Sequence, residues 1–435
     1  MKKKKIFAAL IVVSSLLIFL SLYIKHTNEQ TILTVGFFSG SNWGVPGDKS
    51  AQILEDAIVK FEAVHPGVSV KYVSGISKSD YSEWLSGKFL TGNEPDVFLL
   101  TPDDFNLFAS KGALLNLDSA MKYDTDFIQD DFYTGALKFG EYEQKQYALP
   151  FECMPTLMCV NKTLLEESGI VYPSSDWNWA EFHDICRRVT KDNNKDGIAD
   201  HFGVYNYTWQ DAAYSNGALL FDNKGSRNYV SSNKVVNAVN FVYALNSLND
   251  GYEVIQKDFE SGKVAFCPMS FSEYKIYKTY PWCMEKYTNF EWDCTTMPAG
   301  PDGSNISELD ALLMGISKRT NERQLAWEFL KIMTYDETIQ NEVFQYSQGV
   351  STLKNVTASH AVYELLSQDN FKDEISVTLL DQVMNQTVEA SRFNKYEEAL
   401  TMLNEGVENA MESEKNIQAA LISLQRKINN FLKNG

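Results

Sequence analysis

The sequence predicts an α/β protein in which helices cover a largely parallel sheet, organised as packed lobes. Three observations carry this expectation. Strand and helix signals alternate from residue 32 onward. One early strand is an unbroken apolar run, as expected of a strand buried on both faces. The chain also has 435 residues, enough for two sizeable cores, with no repeat or low-complexity linker to separate them into beads.

The first segment is a leader. Lys2, Lys3, Lys4 and Lys5 precede an uncharged stretch over residues 6–24 that stops at Lys25 and His26. A basic cluster stays on the cytoplasmic side, so the remainder is expected outside the membrane. At 1.5 Å per residue the stretch reaches roughly 28 Å, close to a bilayer core of about 30 Å. No small-x-small cleavage site and no cysteine for lipid attachment stand around residues 21–25. The preferred reading is an uncleaved transmembrane anchor over 1–30, and the alternative is a secretory signal with a poor cleavage site.

Beyond it, residues 32–38 read as a short strand, followed by a loop over 39–47 that carries Asn42 and Trp43. Leu54, Ala57, Ile58 and Phe61 recur at helical spacing, and His65-Pro66-Gly67 closes that helix. Val68, Val70 and Tyr72 alternate with polar residues as a strand does. A helix over 81–90, a break at Gly92-Asn93-Glu94-Pro95 and the apolar strand 97–100 follow. Ligands of such sheets bind beyond the carboxyl ends of strands, which places residues 38–43 and 101–104 at one edge of a cleft. The middle of the chain is loop-rich and aromatic. Its C-terminal part is helical, with stripes through Ala326, Phe329, Leu330 and Met333 and through Ile417, Leu421, Leu424, Ile428 and Phe431.

Composition excludes several classes. Without residues 1–30 the chain keeps 34 Lys and Arg against 56 Asp and Glu, a net charge near −22, which argues against nucleic acid or an anionic surface as partner. Six cysteines over this length are no disulfide scaffold, and no Cys/His cluster suggests zinc. Buried free thiols are expected, with one bridge among Cys267, Cys283 and Cys294 open to an exported chain. Cys153 and Cys159 lie about 20 Å apart along one strand and do not pair there. No nucleophile elbow, HExxH or phosphate loop appears, so no catalytic residue is assigned. A glycan-active enzyme would require paired carboxylates, which an acidic chain always offers.

The order of the local signals resembles the extracellular solute-binding proteins of family 1, the carbohydrate-binding receptors of ABC importers. The matching pieces are His65-Pro66-Gly67-Val68; Gly92-Asn93-Glu94-Pro95-Asp96-Val97; Tyr147-Ala148-Leu149-Pro150 with Val160-Asn161-Lys162; Trp179-Ala180-Glu181-Phe182; Phe259 to Ala265; Pro298-Ala299-Gly300-Pro301; and Ala326-Trp327-Glu328-Phe329-Leu330. The resemblance implies a type II periplasmic-binding-protein fold with a hinge and an interlobe cleft. One lobe would be 31–144 plus 305–352 and the other 145–304 plus 353–435. It also implies a monomeric, non-catalytic receptor that captures a sugar or oligosaccharide and passes it to ABC permease subunits. A ligand sensor coupled to a transmembrane signalling partner is the alternative. The family's usual lipid-bearing cysteine is missing, so the apolar leader would serve as the tether.

Two sites are expected. A pyranose needs aromatic faces and planar hydrogen-bonding groups. Trp43, Glu152, Trp209 and Tyr274 stand where aromatics and polar groups adjoin, and Asp310 and Tyr346 fall where the family lines its cleft. The segment Asp192-Asn193-Asn194-Lys195-Asp196-Gly197-Ile198-Ala199-Asp200 follows the first part of an EF-hand loop. Asp192, Asn194, Asp196 and Asp200 would offer side-chain oxygens and Ile198 its carbonyl to a structural Ca2+. Gly203 stands where the bidentate glutamate belongs, so the set is incomplete.

Overall fold

The computed structural model describes residues 30–44, 49–279, 290–367, 376–388, 391, 393–413 and 416–433. The expected anchor over 1–30 therefore falls almost wholly outside the described residues. Among these, no helix is long and apolar enough to cross a membrane.

The first half forms as the alternation predicts. Strands β1 (Thr31–Gly36), β2 (Val68–Tyr72) and β3 (Val97–Leu100) pair in parallel in the order β2-β1-β3, with the helices Ser50–Val64 and Lys78–Thr91 as the crossovers. β3 is buried along its whole length. The second crossover ends at Gly92, whose φ of 71° is the left-handed cap that glycine adopts without strain. Asp96, one residue ahead of β3, holds the strands together. It accepts from the Thr34 amide (2.8 Å) and hydroxyl (2.6 Å) of β1 and from the Thr320 hydroxyl (2.5 Å). Next to it, Glu94 receives a two-pronged contact from Arg319 and a bond from the Ser317 hydroxyl. Burial pushes the Glu94 carboxyl up, but these donors outweigh it and hold the group below its ordinary range.

After a small hairpin, β4 (Glu141–Tyr142) with β5 (Lys145–Gln146), comes the longest strand, β6 (Ala148–Asn161). Residues 148–155 of β6 pair with β10 (Leu309–Ile316), which runs antiparallel between β3 and β6. Residues 156–161 change partners and pair with β8 (Val264–Ser270) and β9 (Trp292–Thr295). β7 (Phe202–Val204) closes that end beside β8, in parallel. One strand thus belongs to both halves of the sheet. A register shift in β10 between Leu312 and Leu313 leaves Phe151 as the extra residue of a bulge.

The C-terminal segment crosses between the halves later than the expected boundary at 352/353. The helices Lys354–Thr357, His360–Ser367 and Val377–Asn385 pack on first-half elements: Glu337–Tyr346, Thr134–Lys138 and β6. Tyr133 donates to Asp381 across this contact, at 2.6 Å. From Phe393 onward the chain joins the second core. There Tyr396, Leu403, Leu421 and Ile428 of the helices Tyr396–Glu412 and Ile417–Lys433 pack with Val235, Val239 and Val242 of Asn233–Asn246.

Asp96→Ala would leave Thr34 and Thr320 without their acceptor in a partly buried site. An expected loss of about 2–4 kcal/mol should appear as a lower urea midpoint with an unchanged slope.

Candidate functional site

Strand ends, loops and helices from both halves line a cavity of about 410 Å3, within the range of small-molecule sites. Trp43 comes from the loop after β1, and Pro102 from the turn after β3 that opens the helix Pro102–Ser110. Met154 and Thr156 sit where β6 changes partners, while Glu308, Leu309 and Asp310 form the start of β10. Ser270 ends β8, and Ser272 follows it in the helix Phe271–Thr279. Tyr214 lies in the helix Trp209–Ser215, and Val388, Tyr396, Glu397 and Leu400 in the late crossing and the helix after it. Phe139 completes the lining. The position obeys the rule for α/β sheets, because β1, β3 and β8 all contribute from beyond their carboxyl ends.

The lining mixes polar and apolar side chains. Trp43 is half-buried, and its indole Nε1 is buried with no hydrogen-bond partner among the described residues. A buried donor left unpaired costs free energy that a ligand acceptor would relieve. The same cavity is lined by Glu308, Asp310 and Glu397. Burial, with the added repulsion of Asp211, Asp310 and Glu397, pushes Glu308 up to about 8. At neutral pH it is therefore largely a protonated acid that donates as well as accepts. Tyr214 shares hydrogen bonds with Tyr396 and Gln210, and burial raises its phenol far above the ordinary range.

The expected site residues divide. Trp43 and Asp310 are brought together in this cavity, with the Asp310 carboxylate also accepting from the Ala311 amide at 2.8 Å. Glu152 is only 1 % exposed and points into the junction, where Ser347 donates to it. A Cβ on Gly349 would lie 2.6 Å from its Oε2, so glycine there is a packing requirement. Trp209 is buried in the second core. Its helix is instead represented in the cavity by Tyr214, about 140° away around the axis. Tyr274 is buried beside Phe271 and Trp292, with Lys278 lying over the Trp292 ring at 4.8 Å. Tyr346 is half-buried at a helix end, and its carbonyl accepts from the Lys49 amide at 2.7 Å.

In the 192–200 loop the carboxylates serve their own backbone. Asp192 accepts from the Lys195 (2.6 Å) and Gly197 (2.9 Å) amides, Asp200 from Asn193 (2.7 Å) and Asn194 (3.1 Å), and Asp196 from Ile198 (2.9 Å). Among the described residues, no three His, Cys, Asp or Glu side chains gather as a metal ion would require. Asp192, Asp196 and Asp200 thus hold the turn together through its own amides.

A wider groove of about 1100 Å3 crosses the outer face of the first half, lined by His65, Asp124, Trp327, Glu328, Lys331 and Tyr335 among others. Its polar groups are already paired: Lys331 with Asp124 at 2.7 Å, His65 with Glu328 at 2.9 Å, and the Trp327 indole with Asp124 at 2.8 Å. It offers a ligand less than the cleft does.

Two cleft residues outside the expected set carry a sequence signal, a polar side chain at a strand end: Glu308 precedes β10 and Ser270 ends β8.

Glu308 also sets a pH dependence. Folding holds its acid form, so the stability it contributes is full below the ordinary carboxylate range and is lost as pH rises to about 8. Between pH 5 and 8.5 the melting temperature of the native chain should therefore fall more steeply than that of Glu308→Gln. Parallel profiles would refute the assignment.

Comparison with solved structures agrees with this architecture. The chain is similar to the cyclic α-maltosyl-1,6-maltose binding protein of Arthrobacter globiformis, with a TM-score of 0.76 and 16% identity over 93% of this chain and 100% of that one. The sugar-binding protein MalE of Xanthomonas citri gives 0.75 and 15% over 93% and 98%. An ABC substrate-binding protein of Listeria monocytogenes in complex with cycloalternan gives 0.66 and 18% over 93% and 99%. These likenesses establish the periplasmic sugar-binding-protein fold. The family model for bacterial extracellular solute-binding proteins matches residues 46–339, and the chain belongs to that family.

Proposed function

We propose that the protein is the receptor of an ABC importer, capturing a sugar or oligosaccharide in the cleft and delivering it to a membrane permease. The observation that carries this reading is that one cavity gathers the half-buried Trp43, whose indole N–H has no hydrogen-bond partner among the described residues, with Glu308, Asp310 and Glu397. An aromatic face suits the C–H side of a pyranose, and carboxyl groups suit its hydroxyls. The neighbours from Arthrobacter, Xanthomonas and Listeria support a carbohydrate by what they bind. Membership of an extracellular family accords with an outward-facing chain, and residues 6–24 would hold it at the membrane.

Thermal shift against mono- and oligosaccharides tests the class, since a ligand of the native state raises the melting temperature. An oligosaccharide should shift it, and a response confined to peptides or polyamines would show the class to be wrong. Trp43→Ala should weaken the responding sugar by about 10–100-fold in calorimetry. Trp209→Ala should instead cost about 3–5 kcal/mol of stability, as a buried core aromatic does.

The 192–200 loop is proposed as a structural calcium site on its donor spacing alone, because Asp192 and Asp200 would have to swing away from loop amides to bind. Millimolar Ca2+ should then raise the melting temperature by a few degrees over EDTA. Identical melting curves would remove the ion from the account.

A further inference from the structure

Three cysteines lie side by side across three neighbouring strands. Cys159 of β6 is directly opposite Cys267 of β8 on one side and Cys294 of β9 on the other, both in antiparallel register. Residues so opposed project from the same face with Cβ atoms about 4.5–5.5 Å apart. A disulfide needs Cβ atoms about 3.5–4.5 Å apart, so either pair is within a small adjustment of bonding distance. The pairs are not equivalent. The Cys267 thiol is engaged elsewhere, donating to the Pro268 carbonyl at 3.4 Å, whereas Cys294 is the cysteine neighbour that acts most strongly on Cys159.

We propose that Cys159 and Cys294 form a disulfide as the chain folds outside the cell, with Cys267 left as the free third thiol of the row. Membership of an extracellular family puts the chain where such bonds persist. All three thiols are at most 4 % exposed in the folded chain. Burial pushes the Cys159 and Cys267 thiols up and leaves the row closed to oxidants, so the bond is made before the sheet closes. The oxidant is a small disulfide, RSSR. The Cys294 thiolate attacks one of its sulfurs and expels one RS−, giving a mixed disulfide. The Cys159 thiolate then attacks Cys294 Sγ and expels the second RS−. Two RSH carry away the two cysteine protons, and the two electrons of the pair reduce RSSR. Once folded, the bond is shielded from reductants by the same burial. It pins β9 to the strand that both halves share, and it closes a loop of more than a hundred residues, the case in which a crosslink restrains the unfolded chain most. The inference is independent of what the cleft binds.

The test is oxidative refolding of the full chain in glutathione and glutathione disulfide, then denaturation and alkylation without reductant. Intact mass should show two of the six cysteines escaping alkylation, and a non-reducing digest should join the Cys159 and Cys294 peptides. The oxidised chain should melt about 5 °C or more above the fully reduced one. Cys267→Ser and Cys283→Ser should each keep the protected pair, and Cys294→Ser should lose it. Six alkylated cysteines, or a bridge from Cys159 or Cys294 to Cys267 or Cys283, would overturn the proposal.

Discussion

The structure depends on a single strand being shared by two halves of a sheet. β6 is buried over almost all its 14 residues, and every element that shapes the cleft is referred to it. Its change of partner falls at Pro155 and Thr156, where Pro155 has no amide proton to give to a ladder and Thr156 bonds outward to the Glu308 carbonyl at 3.0 Å. Pro150 and the bulge at Phe151 loosen the ladder again within the first half. The backbone groups there find other partners: Gln340 donates to the Phe151 carbonyl at 2.9 Å and Thr352 to that of Pro150 at 3.2 Å. A strand whose regular pairing is thinnest at the junction can bend there while its two ends stay locked in their sheets. The cleft opens at that same point, so relative movement of the halves changes its width before anything else.

The electrostatics of the cleft follow from this placement. A chain with a net charge of −18 would by ordinary repulsion spread its carboxylates over the surface, yet Glu308, Asp310 and Glu397 share one cavity. Burial first, and then the neighbouring carboxylates, push Glu308 up to about 8. Carboxyls crowded in this way gain when neutral hydroxyl donors come among them.

Much of this was legible in the sequence, for a definite reason. Local signals such as the His65-Pro66-Gly67 turn, the Gly92 cap and the apolar run of β3 act through neighbouring residues, and all three do what their chemistry predicts. Asp96 shows the limit: its motif is visible, but the role as a tie to Thr34 and Thr320 depends on residues 62 and 224 positions away. Trp43 and Asp310 follow strand ends, where topology alone points them at a cleft. Trp209 and Tyr214 show why the rest was hidden. Both are aromatic, both sit among polar neighbours on one short helix, and only the direction in which that helix docks sends one to the core and the other to the cavity. Glu152 beside Phe151 has the composition of a binding pair, but the strand that carries them is enclosed by β10 and the 347–353 segment.

The late crossing of the C-terminal segment, also hidden from local signals, explains how the cleft acquires its third wall. Helices from 354 to 385 are held on the first half, so the chain must pass the mouth of the cleft before Tyr396 begins the helix that docks on the second. That passage brings Val388, Tyr396 and Glu397 to the cavity. A further link joins the halves beside the junction. Lys275, on the helix after β8, donates to the carbonyls of Phe344 (3.1 Å) and Ser347 (2.8 Å), at the C-terminal end of the helix Glu337–Tyr346. An ammonium group satisfies carbonyls that a helix end leaves without partners and meets the negative end of its dipole. Ser347, whose carbonyl Lys275 binds, gives its hydroxyl to Glu152 on β6. The contact therefore runs from the second half through the end of a first-half helix back to the shared strand, so that one set of bonds couples the spacing of the halves to the position of β6.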